Sequence, residues 1–468
     1  MRTRPLPPSV LAPAVLLAAL LSGCVPAERQ RPEAAAVAAP AAWRAGATGN
    51  ATVAPTWWRA FGDPVLERLV EQALARNTDV LGAAARVQEA QANIALARSA
   101  MLPSLNVALG AQRGRSLGAA GAATSTALQP EAQVSWQADL FGRLGRLTQA
   151  ARLQYVASQA DRDAAALSVA AEVAQAYIGL LALDARLVVS LETVESRREA
   201  LRLASDQAEV GYISEYELTQ AQAEYAAVEQ AIPQLRQAIA AQENALRRLT
   251  GDLPGPVERG ASLRTLQLPA VPASLPSDLL RHRPDIRSVE LTLAAADAGL
   301  GAARQAFLPQ VALSASLGQL FTNALDYDPV TVWSLGGSIL APIFNGGRLN
   351  AQMDVAIAQR DQAAYAYRAV VLAAFQDVET ALSGAQRLAE QFDRALERRE
   401  ILLRTTARAT DRYRSGYASY LEQLDAQRSL YSTELDAIGV REDQLNNIVG
   451  LYRALGGGWR GAAGKAGQ

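Results

Sequence analysis

Residues 167–194 read LSVAAEVAQAYIGLLALDARLVVSLETV, and this stretch decides the fold. Its apolar side chains recur at steps of three and four residues, and only Asp184 breaks the stripe, which is the pattern of an amphipathic helix. Because proline is absent from 144 to 209, we expect one helix of about 65 residues, on the order of 100 Å long. Such a helix is far longer than a globular one, and we expect it to be too polar for a membrane span. It must therefore pack against other helices along its whole length.

The chain also contains an internal duplication. The long helix ends at a turn, Gly-Tyr-Ile-Ser at 211–214, which recurs as Gly-Tyr-Ala-Ser at 416–419. Gly-Arg-Leu at 142–144 recurs at 347–349 with the same offset of 205. Landmarks that keep one register indicate a repeated unit. Each copy is predicted as helix, strand, strand, long helix, turn and shorter helix.

The duplication predicts a division of the chain. The segments are a signal peptide (1–23), a lipid-anchored flexible tether (24–56), the first repeat (57–251), a linker in an equatorial belt (252–278), the second repeat (279–459) and a flexible tail (460–468). The helical hairpins turn at 210–215 and 415–419. Trp57 and Trp58 open the first repeat, and we interpret them as packing anchors.

Each repeat carries two segments of alternating polarity. They are 104–112 and 132–140 in the first copy, and 310–318 and 331–340 in the second. Leu105, Val107 and Leu109 fall on one face, with small or polar residues between them. Strands of this kind are typical of a transmembrane barrel with a polar lumen. The segments 116–130 and 322–329 are then predicted as external loops.

Four strands in one chain cannot enclose a water-filled channel, because open edges would leave backbone groups unsatisfied in lipid. Two chains give eight strands, whose interior is filled by side chains, whereas three chains give twelve and leave a pore. We therefore predict a homotrimer. Its fold class is mainly α, with a 12-stranded transmembrane β-barrel continuous with a 12-helix α-barrel.

The N-terminus reads as an export signal. Arg2 and Arg4 precede an apolar run that is too short to span a membrane, and Leu-Ser-Gly-Cys follows at 21–24. This pattern resembles a bacterial lipobox, in which Cys24 becomes the lipidated first residue; the alternative is an ordinary signal peptide. Val25 in place of an aspartate favours sorting to the outer membrane. Cys24 is the only cysteine, so a disulfide framework is excluded.

Four motifs carry a resemblance to a known family. They are LLRHRPDI at 279–286, PIFNGGR at 342–348, YLEQLDAQ at 420–427 and LGGGW at 455–459. Together they resemble the TolC-type outer membrane factors, and within these the lipoprotein branch typified by OprM and NodT. The resemblance implies a trimeric outer membrane channel that docks on a periplasmic adaptor (membrane fusion protein) and an inner-membrane pump. That pump is most often of the RND class, and an ABC transporter of a type I protein-secretion system is the alternative.

The two turns are predicted to form the periplasmic tip. A glycine at a helix end can adopt the left-handed conformation that ends a helix sharply. Either the turns only link two helices, or they also contact the adaptor, as the resemblance implies. The shared pattern favours contact, through the residues Gly211, Tyr212, Ser214, Gly416, Tyr417 and Ser419.

The segment after the second turn is the predicted gate. Leu421, Asp425 and Arg428 are spaced i, i+4 and i+7, so they share a helix face. In a trimer they and Glu422 would form rings that block passage, with Asp425 and Arg428 pairing between neighbours. The alternative is an ordinary solvated face. The corresponding positions of the first copy lack the Asp and the Arg, so we expect gating mainly in the second hairpin.

Composition argues against other classes of function. With 45 basic and 46 acidic residues, the net charge of −1 does not favour nucleic-acid binding. A single histidine, His282, excludes a multi-histidine metal site, so we expect no enzyme and no cofactor beyond a covalent lipid on Cys24. A lipid-anchored periplasmic coiled-coil scaffold is the non-transporting alternative, but a scaffold has no need for a lipid-facing sheet.

Overall fold

The computed structural model describes residues 30–46, 53–118, 121–272, 276–323 and 329–459. Cys24, the signal peptide and the tail from 460 to 468 lie outside these residues. The chain divides into two compact units. Unit 1 combines residues 1–36, 86–159 and 288–369, and unit 2 combines 37–85, 160–287 and 370–468.

The described residues form eight α-helices and four strands, besides two short 3₁₀ helices at Glu33–Ala35 and Trp57–Phe61. In chain order they are α1 (Pro64–Arg76), α2 (Thr78–Ser99), β1 (Ser104–Gly118), β2 (Gly121–Ala138), α3 (Arg143–Glu209), α4 (Glu215–Leu249), α5 (Pro276–His282), α6 (Pro284–Gln305), β3 (Gln310–Thr322), β4 (Val330–Leu340), α7 (Arg348–Arg414) and α8 (Tyr420–Ala454). The duplication is confirmed, because α3 and α7 each have 67 residues and α4 and α8 each have 35.

The four strands of unit 1 form one antiparallel sheet in the order β1-β2-β3-β4. Leu105 is opposite Val134, which is opposite Ala315, which is opposite Leu335. Residues directly opposite each other point to the same face, so the apolar positions of all four strands share one side of the sheet. The predicted alternation is confirmed.

The predicted external loop at 116–130 is wrong. The β1–β2 ladder continues from Arg113, opposite Thr126, to Gly118, opposite Gly121. The prediction took a Gly, Ala and Ser composition for a loop. Small residues do not prevent backbone pairing, however. A strand outside a membrane also does not need to alternate polar and apolar side chains. Strand β3 likewise extends to Thr322, past its predicted end at 318.

The predicted flexible tether at 24–56 is also incorrect over residues 30–46, which make defined contacts. In unit 1, Arg31 pairs with Asp297, and the carbonyl of Gln30 accepts a hydrogen bond from Arg360 Nη2 at 3.1 Å. In unit 2, Trp43 is buried, and its ring lies 6.0 Å from that of Phe375. The composition of the segment is that of a linker, but the indole of Trp43 fixes part of it by burying apolar surface.

The core of unit 2 is built on the apolar stripe of residues 167–194. Val173, Tyr177 and Leu180 of α3 are fully buried. They pack in one cluster with residues of α1, α4 and α8. Trp57 and Trp58 are buried in the same cluster, as expected of packing anchors, and the Trp57 ring stacks on Tyr452 at 5.7 Å.

One 18-residue window of α3 is apolar enough to span a membrane by composition, the single such helix among the described residues. A window of this composition also occurs in helices whose apolar side is buried in a protein core. The core of unit 2 accounts for its apolar character, since the buried positions of α3 pack there against other helices. Asp184, the break in the stripe, is paired with Arg259, whose Nε lies 2.8 Å from the Asp184 carboxylate.

Asp63 and Tyr177 are the centre of a buried hydrogen-bond network in this core. Asp63 accepts a hydrogen bond from the backbone N–H of Val65 at 2.7 Å, which caps α1. Its second oxygen accepts from the Tyr177 hydroxyl at 2.7 Å and from the Ala261 N–H at 2.9 Å. Burial raises the pKa of the Tyr177 hydroxyl well above its ordinary value. This network joins α1, α3 and the linker that follows α4.

Candidate functional site

Both hairpin turns have the same backbone geometry. Gly211 and Gly416 adopt the left-handed conformation, with φ of 76° and 75°. The Tyr212 N–H donates to the Gln207 carbonyl at 2.8 Å, and the Tyr417 N–H donates to the Arg412 carbonyl at 2.8 Å. Together with the bonds from the glycine N–H groups, this is the Schellman motif that ends a helix at a left-handed residue.

The serine of each turn caps the helix that returns. Ser214 Oγ accepts from the Glu217 N–H at 3.3 Å, and the Glu217 carboxylate accepts from the Ser214 N–H at 3.0 Å, which completes a capping box. Ser419 Oγ accepts from the Glu422 N–H at 3.4 Å. Both serines predicted at the tip, Ser214 and Ser419, therefore shape the turns.

The tyrosines of the turns have a different environment. Tyr212 is 84% exposed and Tyr417 is 80% exposed, and Val210 beside Tyr212 is exposed as well. Large side chains that are mostly exposed at a turn suit contact with another molecule. The structure thus presents Tyr212 and Tyr417 as accessible, and adaptor contact stays a prediction.

A small apolar cluster beneath the turns orients α8. Its buried members are Ala204, Ala221, Tyr420 and Leu424. Tyr420 packs against Tyr413 with ring centroids 5.7 Å apart, and the Tyr413 hydroxyl donates to Gln207 Oε1 at 2.8 Å. Because Tyr420 and Leu424 point into this cluster, the opposite face of α8 is turned to solvent.

Three of the four predicted gate residues lie on that exposed face. Leu421 is 55% exposed, and Asp425 and Arg428 are exposed one and two turns further along α8. Glu422, the fourth predicted gate residue, lies beside the turn. Its carboxylate lies 3.6 Å from Arg412 Nε, and its N–H is held by Ser419, so it belongs to the turn.

Arg428 has a partner that the sequence did not reveal. It forms an ion pair with Glu224 of α4, a carboxylate that is 13% exposed. Arg197 of α3 lies behind this pair, is 3% exposed, and has its Nη2 3.9 Å from the same carboxylate. Arg197 also donates to Gln427 beside Arg428. The second returning helix is therefore held by residues of the first repeat.

The cluster of Arg197, Arg428 and Glu224 contains more positive than negative charge. Two arginines, Arg197 and Arg428, share the one carboxylate of Glu224. Burial lowers the pKa of the Arg197 guanidinium, and Glu224 opposes that effect. No spacing rule connects Arg197 or Glu224 to Arg428, because the contact depends on how three separate helices pack.

A model of the family described as "Outer membrane efflux protein" matches the chain over residues 69–252 and 275–457. The two matched segments correspond to the two repeats. The match covers most of the described residues, including both turns and the exposed face of α8.

Named proteins are similar over nearly the whole chain. The pyoverdine export outer membrane protein OpmQ of Pseudomonas aeruginosa is 34% identical over 443 residues, covering 91% of this chain and 92% of its own. The probable outer membrane lipoprotein SilC of Salmonella typhimurium is 30% identical, covering 86% and 88%. Among solved structures, the outer-membrane channel OprN superposes with a TM-score of 0.84 at 29% identity, covering 93% of this chain and 99% of its own.

Proposed function

The chain belongs to the outer membrane efflux protein family, and from that premise we propose that it forms the passive exit duct for small molecules delivered by an RND-type inner-membrane transporter. The chain is an outer membrane efflux channel of a tripartite pump, with the fold of the trimeric channels of this family. Such proteins work with an adaptor and an inner-membrane transporter, and the channel is not an enzyme.

We propose that the two turns dock the periplasmic adaptor. Tyr212 and Tyr417 are exposed on backbones that Gly211, Ser214, Gly416 and Ser419 hold in one conformation. A rigid turn that presents an aromatic side chain loses little conformational entropy when it binds. The observation that carries this proposal is the presence of the same exposed Gly-Tyr-x-Ser turn at the end of both long helices.

The proposed gate is the exposed face of α8. In a trimer, three copies of Leu421 would narrow the duct, and three copies of Asp425 and Arg428 would form a charged ring beside them. Arg428 already has Glu224 within its own chain, so closure would use a shared cation: Arg428 would bridge Glu224 of its own chain and Asp425 of a neighbour. Adaptor binding would favour the open state by making better contacts with it.

We also propose that a lipid on Cys24 anchors the mature chain in the outer membrane, beside the anchorage that the barrel provides. Replacing Cys24 with serine should abolish incorporation of labelled palmitate while leaving the trimer assembled. Incorporation that persists in the serine variant would contradict the lipid anchor.

The exit-duct proposal is tested by accumulation of a fluorescent efflux substrate such as ethidium. The host should be a strain that lacks its other outer membrane efflux proteins. Loss of this chain should raise accumulation, and the unaltered gene should restore export. Y212D/Y417D should not restore it, because charged side chains would face the adaptor. Y365D, at an exposed tyrosine of α7, is the matched control and should restore export.

The energy source of export distinguishes an RND-type transporter from an ABC transporter. Export that stops when a protonophore collapses the proton gradient, and withstands depletion of ATP, supports an RND-type partner. Export that follows ATP instead would assign the channel to an ABC system and overturn the RND proposal. Accumulation that is unaffected by loss of the chain would contradict the exit-duct proposal itself.

A further inference from the structure

The four strands contain three charged residues, and these are divided between the two faces of the sheet. Arg113 and Arg115 follow Leu105, Val107, Leu109 and Ala111 at alternate positions of β1, so they lie on the apolar, lipid-facing side. Glu131 lies on the other side, where its carboxylate accepts a hydrogen bond from Gln129 at 3.1 Å. Basic groups thus face outward, and the acidic group faces the lumen.

The distance along β1 places the arginines at an edge of the apolar band. Arg113 comes eight residues after Leu105, which is about 26 Å along a strand and about 20 Å in height at the usual barrel tilt. An arginine at the middle of the lipid-facing band would cost about 2–4 kcal/mol, but near the interface it costs little. The arginines therefore lie where the hydrocarbon ends and the headgroups begin.

The helices connected to the β1–β2 hairpin show which edge of the apolar band holds Arg113 and Arg115. Helix α2 leads into the start of β1, and β2 leads out towards α3. The β1–β2 turn, after Gly118, is therefore at the end of the hairpin away from these helices. In an outer membrane efflux channel the helices are periplasmic, so Arg113 and Arg115 face the outer leaflet.

Both side chains are exposed, and no ion pair joins either to any described carboxylate. This contrasts with arginines on the helices, such as Arg387 and Arg394, which pair with glutamates one turn away. The residues opposite Arg113 and Arg115 are Thr126 and Thr124, whose hydroxyls are further hydrogen-bond donors on the same face. The Thr126 N–H donates to Asn323 Oδ1 at 2.7 Å, which ties this part of the hairpin to the end of β3.

We propose that Arg113 and Arg115, with Thr124 and Thr126, bind the phosphate groups of a phosphorylated lipid of the outer leaflet. The guanidinium fork matches phosphate oxygens in pairs, and the adjoining apolar band of β1 suits the acyl chains of the same molecule. A trimer would carry three such sites around its barrel. The partner is a lipid and not free phosphate, because the site continues directly into the lipid-facing surface.

The test is a titration of the purified trimer in nonionic detergent with diphosphoryl lipid A, followed by native mass spectrometry. R113S/R115S should lower the affinity at least about tenfold, since each arginine near a phosphate-bearing surface contributes about one factor of five. Dephosphorylated lipid A should bind the variant and the unaltered channel equally. R387S/R394S removes the same charge from the helices and should leave the affinity unchanged.

Three outcomes would overturn the proposal: equal affinity of R113S/R115S and the unaltered channel, an equal loss in R387S/R394S, or displacement of the lipid by excess inorganic phosphate. Trimer mobility on a gel checks assembly of each variant. If the double variant fails to assemble, R113K provides the second measurement. It keeps the charge but loses the fork, so a several-fold loss supports the site and no loss contradicts it.

Discussion

The two hairpin turns share their backbone but differ in the side chains that follow. Both have a glycine with positive φ, the same pair of terminal hydrogen bonds, and a serine cap. In the first turn, Glu217 completes the capping box. In the second, its counterpart Glu422 pairs with Arg412. Gln207 stands where the second copy has Arg412, so the first copy has no cation at this position to pair with its glutamate.

The difference extends along the returning helices. The face Leu421, Asp425 and Arg428 of α8 corresponds to Tyr216, Gln220 and Ala223 of α4. Arg428 pairs with Glu224, and Arg197 supports that pair from α3, where the second copy has Leu402 in the corresponding place. Duplication therefore preserved the residues that fix the backbone, while the residues that give each hairpin its surface diverged.

The largest effect is expected at Arg197. R197A leaves a void in a buried position and removes one of the two cations of Glu224, so it should lower the free energy of unfolding by about 2–3 kcal/mol. R198A, at the adjacent exposed arginine paired with Glu195, should leave it nearly unchanged, because solvent screens an exposed ion pair. Thermal unfolding of the detergent-solubilised trimer, followed by circular dichroism, measures both. Equal effects would show that the two arginines are equivalent and that Arg197 does not hold the second hairpin.

A smaller loss of stability is expected when the capping serine of either turn, Ser214 or Ser419, is replaced. S214A removes the Oγ that accepts from the Glu217 N–H and donates to the Glu217 carboxylate at 3.2 Å, so it should destabilise the start of α4 by about 1 kcal/mol. S419A loses only the bond from the Glu422 N–H and should cost about half as much. Hydrogen exchange of the Glu217 and Glu422 amides reports each turn separately. Faster exchange at Glu422 in S419A than at Glu217 in S214A would reverse the predicted order.

The smallest effect concerns Glu442 of α8, whose counterpart in α4 is Gln237. Burial raises the pKa of the Glu442 carboxyl, and Arg186, 2.8 Å away, offsets this only in part. The folded state therefore binds a proton more readily than the unfolded state, so this group's contribution to stability falls as pH rises from its ordinary pKa through the raised one. E442Q should remove that slope and stabilise the protein by up to about 1 kcal/mol at neutral pH.

The control for this prediction is E390Q, at an exposed glutamate paired with Arg387. It should leave the stability at neutral pH unchanged, because its ion pair is exposed. A loss of stability in E442Q would show that the Arg186 ion pair outweighs the cost of burying the carboxylate.

Much of the fold could be predicted from the sequence because the signals are local. A stripe at steps of three and four residues specified α3, alternation specified the strands, and Gly211 and Ser214 specified where the hairpin turns. The extension of β1 to Gly118 was missed because small residues show no alternation, although the backbone ladder does not need it. The contacts of Trp43 were missed because the residues around it have a linker composition.

The candidate site was only partly predictable. The spacing of Leu421, Asp425 and Arg428 identified a face, since helical geometry depends on sequence distance alone. The contact of the Glu422 carboxylate with Arg412, a residue of the preceding helix, could not be read from spacing within α8. Glu224 and Arg197 could not be assigned, because their contact with Arg428 arises from packing between helices far apart in sequence.

Single-channel conductance in planar bilayers tests most directly whether the second hairpin closes the duct. D425A/R428A should raise the open probability at least about tenfold, since three exposed pairs of up to about 1 kcal/mol each would be lost together. Q220A, at the first-hairpin position that corresponds to Asp425, should conduct like the unaltered channel. A D425A/R428A channel that stays as closed as the unaltered one, or a Q220A channel that opens equally, would contradict the assignment of the gate to α8.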